Sequence, residues 1–123
     1  MREITTHKVN GCNDALKVVA VDSPGSGGAN HLYQIHVDES KETLPDGKTV
    51  SVLISFQNGP ITNGVTHEAL LAIVIDRLQA FQKGPFACRE NALALTKLEE
   101  AMHWLKHRTE ARLARGVEGT HTV

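Results

Sequence analysis

A chain of 123 residues suits one compact domain whose small core oligomerisation would extend. With 41% apolar and 22% charged residues it has the composition of a folded globular protein, and a formal net charge of −1 excludes a global field for nucleic acid or membrane. No apolar run reaches the length of a membrane span, and the opening MREITTHKVN lacks the apolar stretch of a signal peptide.

Up to about residue 65, short β-rich runs alternate with turn clusters. ITTHKV (4–9) alternates, and LKVVAV (16–21) is β-branched. HLYQIHV (31–37) sets Leu32, Gln34 and His36 against Tyr33, Ile35 and Val37, and TVSVLISF (49–56) puts Val50, Val52, Ile54 and Phe56 on one face. The punctuation is NGCND, DSPGSGG and DESKETLPDGK, rich in Gly, Pro, Asn and Asp. Four strands joined this way make an antiparallel meander, and a fifth short strand fits around 59–61. The two cysteines, Cys12 and Cys88, lack CxxC spacing and read as reduced thiols.

Beyond residue 65 the period becomes helical. Thr66 caps a helix from His67 to about Gln82, with Glu68 in its first turn and an apolar stripe of Leu70, Leu71, Val74, Ile75 and Leu78. KGP at 83–85 ends it, and Pro85 suits the first turn of a second helix. That helix runs about 30 residues to Arg115 and stops at Gly116, with a stripe of Leu95, Leu98, Met102 and Leu105. The expected fold class is α+β: a sheet over 1–65, a two-helix hairpin over 66–116 and a tail over 117–123, all in one domain of 1–123.

On the long helix Asn91, Leu98, Met102 and Arg112 project within about 80° of one another. The stripe thus begins with an amide and ends with a guanidinium. These two lie about 32 Å apart along a straight helix, too far for one small ligand. Two such helices packed antiparallel between subunits would bring the start of one beside the end of the other, with two equivalent pockets in a symmetric dimer. Arg108 and Arg112, four apart, suit a diphosphate; Phe81 and Phe86 offer flat faces for a base; Asn91 can bond a base edge or a ribose hydroxyl. The plainer alternatives are core packing for the phenylalanines and dipole complementation for the arginines.

DSPGSGGANH (22–31) can be an anion-binding nest or a hairpin loop, but it lacks the pattern of a P-loop. Catalysis finds little support: HExxH, GxSxG and DxD are all missing from the sequence, and Glu100-x-x-His103 is only half of a two-part metal motif. Neither a catalytic residue nor a metal site nor a cofactor is expected.

HKVN (7–10), PGSGGANHLY (24–33), ISFQNGPI (54–61), ALLAIVIDRLQAFQKGPFACRENALAL (69–95) and RTEARLARGVEGTH (108–121) resemble the Thoeris anti-defence sponge family of phages. The GPFAC turn and the RGVEGTH tail are the most specific parts, and DESKETLPDGK is the part without a match. The resemblance implies a protein that is not an enzyme. It would bind cyclic ADP-ribose isomers in the host cytoplasm and hold them without degrading them. The hairpin is also similar to that of anti-CBASS sponges, which implies a second site for cyclic di- or trinucleotides within a hexamer. The family's pocket aromatic falls on Phe81, its asparagine on Asn91 and its phosphate-binding arginines on Arg108 and Arg112. Phe86, Arg115 and His121 join them by proximity in sequence. The implied partners are a small cyclic nucleotide and other copies of the chain, as a dimer or a hexamer, with no membrane and no nucleic acid. The rivals are an enzyme that cleaves the same signal and a nucleic-acid-binding module using the basic helix end.

Overall fold

The computed structural model describes residues 1–38, 43–44, 46–60 and 62–120. The chain divides into two compact units, Met1–Asn58 and Gly59–Val123.

The first unit is a four-stranded antiparallel meander in the order β1-β2-β3-β4: β1 Arg2–Ile4, β2 Leu16–Ala20, β3 Leu32–Val37 and β4 Ser51–Ser55. The register aligns Ile4, Val18, Ile35 and Val52 on one rung. Two residues along, Ala20, Tyr33 and Ile54 share the same face with Arg2. The alternation of 31–37 and 49–56 is therefore the alternation of the sheet: one face carries Ile4, Val18, Ile35 and Val52, and the other mixes Glu3, Lys17, Gln34 and His36 with Val19, Leu32 and Leu53. Tyr33 meets the edge of Phe56 at 5.6 Å between ring centroids. Among the described residues the buried ones are Ala15, Val19, Ala20 and Val37, all on or beside the two central strands.

The first strand, Arg2–Ile4, meets the alternating run 4–9 only at Ile4. Lys8 N donates to Thr5 O at 3.0 Å, closing a turn where that strand was expected to continue. Asn10 then caps a four-residue helix, α1 (Gly11–Asp14), its side chain accepting from Asn13 N at 3.0 Å. His7 anchors the turn, with Nε2 2.8 Å from Leu16 O. NGCND thus forms a helical turn capped by Asn10 rather than simple strand punctuation.

The loop after β2 is held by its own polar groups. Asp22 accepts from His31 N (2.9 Å) and from Asn30 Nδ2 (3.0 Å), and these bonds hold its carboxyl below the usual carboxylate value against the opposing effect of desolvation. His31 lies between two carbonyls, Ser26 O at 2.8 Å and Gln57 O at 3.1 Å. The amides of Gly25 and Gly28 donate within the loop, and that of Ser26 donates to Asn58 Oδ1. These three amides are therefore committed to internal acceptors. A side chain at Gly25 would have to push past His31, whose ring carbon lies 3.1 Å from where its Cβ would be.

The second unit is a helical hairpin. Its first helix, α2, spans His67–Gln82 as the period predicts, and Thr66 caps it by accepting from Ala69 N at 3.1 Å. The second, α3, spans Arg89–Ala114. It starts four residues later than Pro85 suggested. Gln82 reaches across the turn, its Oε1 accepting from Cys88 N (3.1 Å) and its Nε2 donating to Cys88 O (3.2 Å). Cys88 is thereby held extended and becomes the N-cap, its sulfur accepting weakly from Asn91 N at 3.4 Å. Of the expected fifth strand, residues 59–60 form a bend and residue 61 lies outside the described residues.

Gly116, at φ +74°, ends α3 in a left-handed turn. Gly116 N donates to Leu113 O and Val117 N to Arg112 O, the paired bonds of a Schellman motif. Along α3 the half-buried positions are Asn91, Leu95, Leu98, Met102, Leu105, Thr109 and Arg112. They alternate spacings of four and three, the seam of an antiparallel helix pair. No described residue of either helix is fully buried.

Candidate ligand-binding site on the helical hairpin

The turn end of the hairpin carries the aromatic part of the site. Phe81, in the last turn of α2, is half-buried, and Phe86, in the turn, is 70% exposed. Their rings meet edge to face at 6.0 Å. Arg77, one turn before Phe81, lies over its ring at 5.1 Å from the centroid. This cation–π contact was readable as an i, i+4 pair and was missed. Asn91, in the first turn of α3, is half-buried beside this cluster in sequence, and its backbone amide is taken by the Cys88 cap.

The opposite end carries the cations. Arg108 is exposed and makes no ion pair or hydrogen bond among the described residues. Arg112 is half-buried on the stripe, and Arg115 is the exposed C-cap of α3. His121 lies outside the described residues. Arg112 is bound to the tail: Nε donates to Glu118 Oε2 at 3.0 Å, and Nη2 donates to Val117 O at 3.0 Å and to Thr120 O at 3.1 Å. Glu118 is the partner that the spacing of arginines did not reveal. Its only signal was a carboxylate placed just after the Gly116 turn.

Asn91 and Arg112 thus share one face of one continuous helix and stand at its two ends, as their helical spacing predicts. A single hairpin does not bring the phenylalanines and Asn91 together with Arg108 and Arg112. Between the two ends runs an open groove of about 560 Å³, floored by Ile75 and Met102 and edged by Asp76, Glu99, His103 and Lys106. It contains none of the candidate ligand-binding residues and mixes both signs of charge. On the outer surface of α3, Trp104 is 63% exposed, with His103 and His107 against its ring at 5.1 and 5.6 Å.

Both thiols, Cys12 and Cys88, are unbridged and exposed. No helix among the described residues is long and apolar enough to cross a membrane.

Residues 48–110 match the family model described as Acb2/Tad1, hairpin domain, which covers α2 and most of α3. The chain is also similar to a Bacillus phage SBSphiJ7 protein named Thoeris anti-defense 1. The two are 51% identical over 96 residues, covering 72% of this chain and 68% of that protein.

Proposed function

Because this chain belongs to the Thoeris anti-defence family of phage proteins, we propose that it is a sponge for cyclic ADP-ribose isomers, binding the signal inside the host cell and releasing it unaltered. The observation that carries the reading is the polarity of α3. One face of one helix begins at Asn91 beside the phenylalanine turn and ends at the arginines. Base, ribose and pyrophosphate need those three chemistries within reach of one another: an aromatic face, an amide and paired guanidiniums.

The pocket forms between copies. An antiparallel pair of α3 helices sets the turn of one protomer against Arg108 and Arg112 of the other, and a two-fold axis makes two such pockets. The apolar surface of the hairpin supports this. Ile73 (66%), Leu93 (51%), Trp104 and Leu113 (61%) are exposed, and a helix pair in which no described residue is buried gains its core from a second copy. Phe81 and Phe86 stack the base, Asn91 bonds the base edge or ribose, Arg108 and Arg112 hold the pyrophosphate, and Arg115 and His121 join the set by proximity in sequence alone. A cyclic di- or trinucleotide site would belong to a larger assembly, a hexamer.

Sequestration needs affinity rather than turnover. A nanomolar Kd corresponds to about −12 kcal/mol, within reach of stacked rings and paired arginines in a water-poor pocket. The test is to incubate the protein with 1″–2′ and 1″–3′ glyco-cyclic ADP-ribose, remove unbound ligand, denature by heat and analyse what is released. Intact ligand near one per pocket is the expected result. Released fragments would make the protein a hydrolase, and retention of nothing would end the reading. Asn91→Ala and Arg112→Ala are expected to abolish retention while the oligomer persists.

A further inference from the structure

An arginine offered to a ligand is usually imagined bare, but Arg112 is not. Its side chain is only 11% exposed, and its donors meet Glu118, Val117 and Thr120, all in the tail that follows α3. The turn at Gly116 makes this possible: the Schellman bond from Val117 N to Arg112 O brings the chain back over the helix end. The next residue, Glu118, then meets the guanidinium of the residue whose carbonyl the turn caps. Arg108, one helical turn earlier, has no such partner among the described residues. An anion arriving here meets one open guanidinium and one whose Nε–H is already matched to a carboxylate.

We propose that Glu118 is an internal counter-ion that occupies the place on Arg112 a ligand phosphate takes, so that binding is an exchange in which the carboxylate leaves as the phosphate enters. The inference rests on the anionic-ligand reading above. A phosphate oxygen can accept from Arg112 Nε as the Glu118 carboxylate does, so one replaces the other while Nη2 keeps its bonds to Val117 O and Thr120 O and the arginine keeps its rotamer. Two consequences follow. The long side chain is ordered before the ligand arrives, which lowers the entropic cost of binding. The affinity is also set below that of an unpaired arginine, by the strength of a partly exposed ion pair. Glu118 thereby acts as a positioning residue and a filter. An anion with a single charge gains little over the carboxylate it displaces. A pyrophosphate carries two charges and also engages Arg108, so it gains more.

The test compares Glu118→Gln with Glu110→Gln. Both remove one negative charge, but Glu110 lies exposed on α3 and is not bonded to Arg112. Calorimetry uses two probes: inorganic pyrophosphate and the glyco-cyclic ADP-ribose isomers. The exchange predicts that Glu118→Gln binds about two- to fivefold more tightly than the wild type, the scale of an exposed ion pair, and that Glu110→Gln gains less. Glu118→Gln binding no tighter than Glu110→Gln, or more weakly than the wild type, overturns it. Suppose the isomers fail to bind any form while pyrophosphate keeps the predicted order. The exchange then stands and the sponge reading falls. If pyrophosphate also fails to separate the two variants, the exchange falls too.

Discussion

Arg77 lies over the ring of Phe81, its guanidinium carbon 5.1 Å from the centroid, while Phe86 closes on the ring edge at 88°. Two neighbours thus fix the orientation of one aromatic ring at the hairpin turn, and a fixed ring is a better stacking surface than a mobile one. Phe81→Ala is expected to weaken binding of a glyco-cyclic ADP-ribose isomer by about 1–3 kcal/mol, the range for stacking a base on an aromatic side chain. Phe81→Tyr should retain most of the affinity. Calorimetry on the two variants checks this, and equal affinities would remove the ring from the site.

Arg108 and Arg112 differ in what their loss should do. Arg108→Ala removes an exposed cation and is expected to leave the melting temperature nearly unchanged, within about 0.5 kcal/mol of stability, while abolishing ligand retention. Arg112→Ala also removes the donors for Glu118, Val117 and Thr120. It should lower the melting temperature measurably and speed amide exchange across 117–120. Identical thermal behaviour in the two variants would contradict the structural role of Arg112.

The hairpin leaves Ile73, Leu93, Trp104 and Leu113 exposed. If copies cover them, folding is linked to association by mass action and the melting temperature rises with protein concentration. Calorimetric scans over a hundredfold range of concentration, with light scattering for mass, test this. A concentration-independent melt at monomer mass would rule out the shared pocket.

Acid should act on the loop that follows β2. The backbone amide of His31, and after it the side chain of Asn30, hold the Asp22 carboxyl below 3.8, although desolvation opposes them. A lowered native value means that the unfolded chain takes up the proton first. The contribution is present above 3.8 and is lost as the pH falls through the lower native value. Asp22→Asn is expected to flatten the acid limb of the stability curve below about pH 4, seen by circular dichroism, with little change in its shape near neutrality. An unchanged acid limb would show that the carboxylate contributes nothing.

What the sequence by itself determined was whatever rests on neighbours a few residues apart. The bounds of α2 follow from the Thr66 cap and a 3.6-residue apolar period, the end of α3 from Gly116, and the sheet from the two-residue alternation of 31–37 and 49–56. The position of Asn91 and Arg112 on one face is likewise a matter of helical spacing. Tertiary structure decided whatever depends on a side chain meeting backbone or charge from a different segment. Gln82 bonding to Cys88 moved the start of α3 to Arg89, and the turn from Thr5 to Lys8 with the Asn10 cap put residues 5–10 outside β1. Glu118 reached Arg112 only because a left-handed turn folded the tail back. Such hydrogen bonds leave no period in the sequence, since their geometry exists only once the chain has turned.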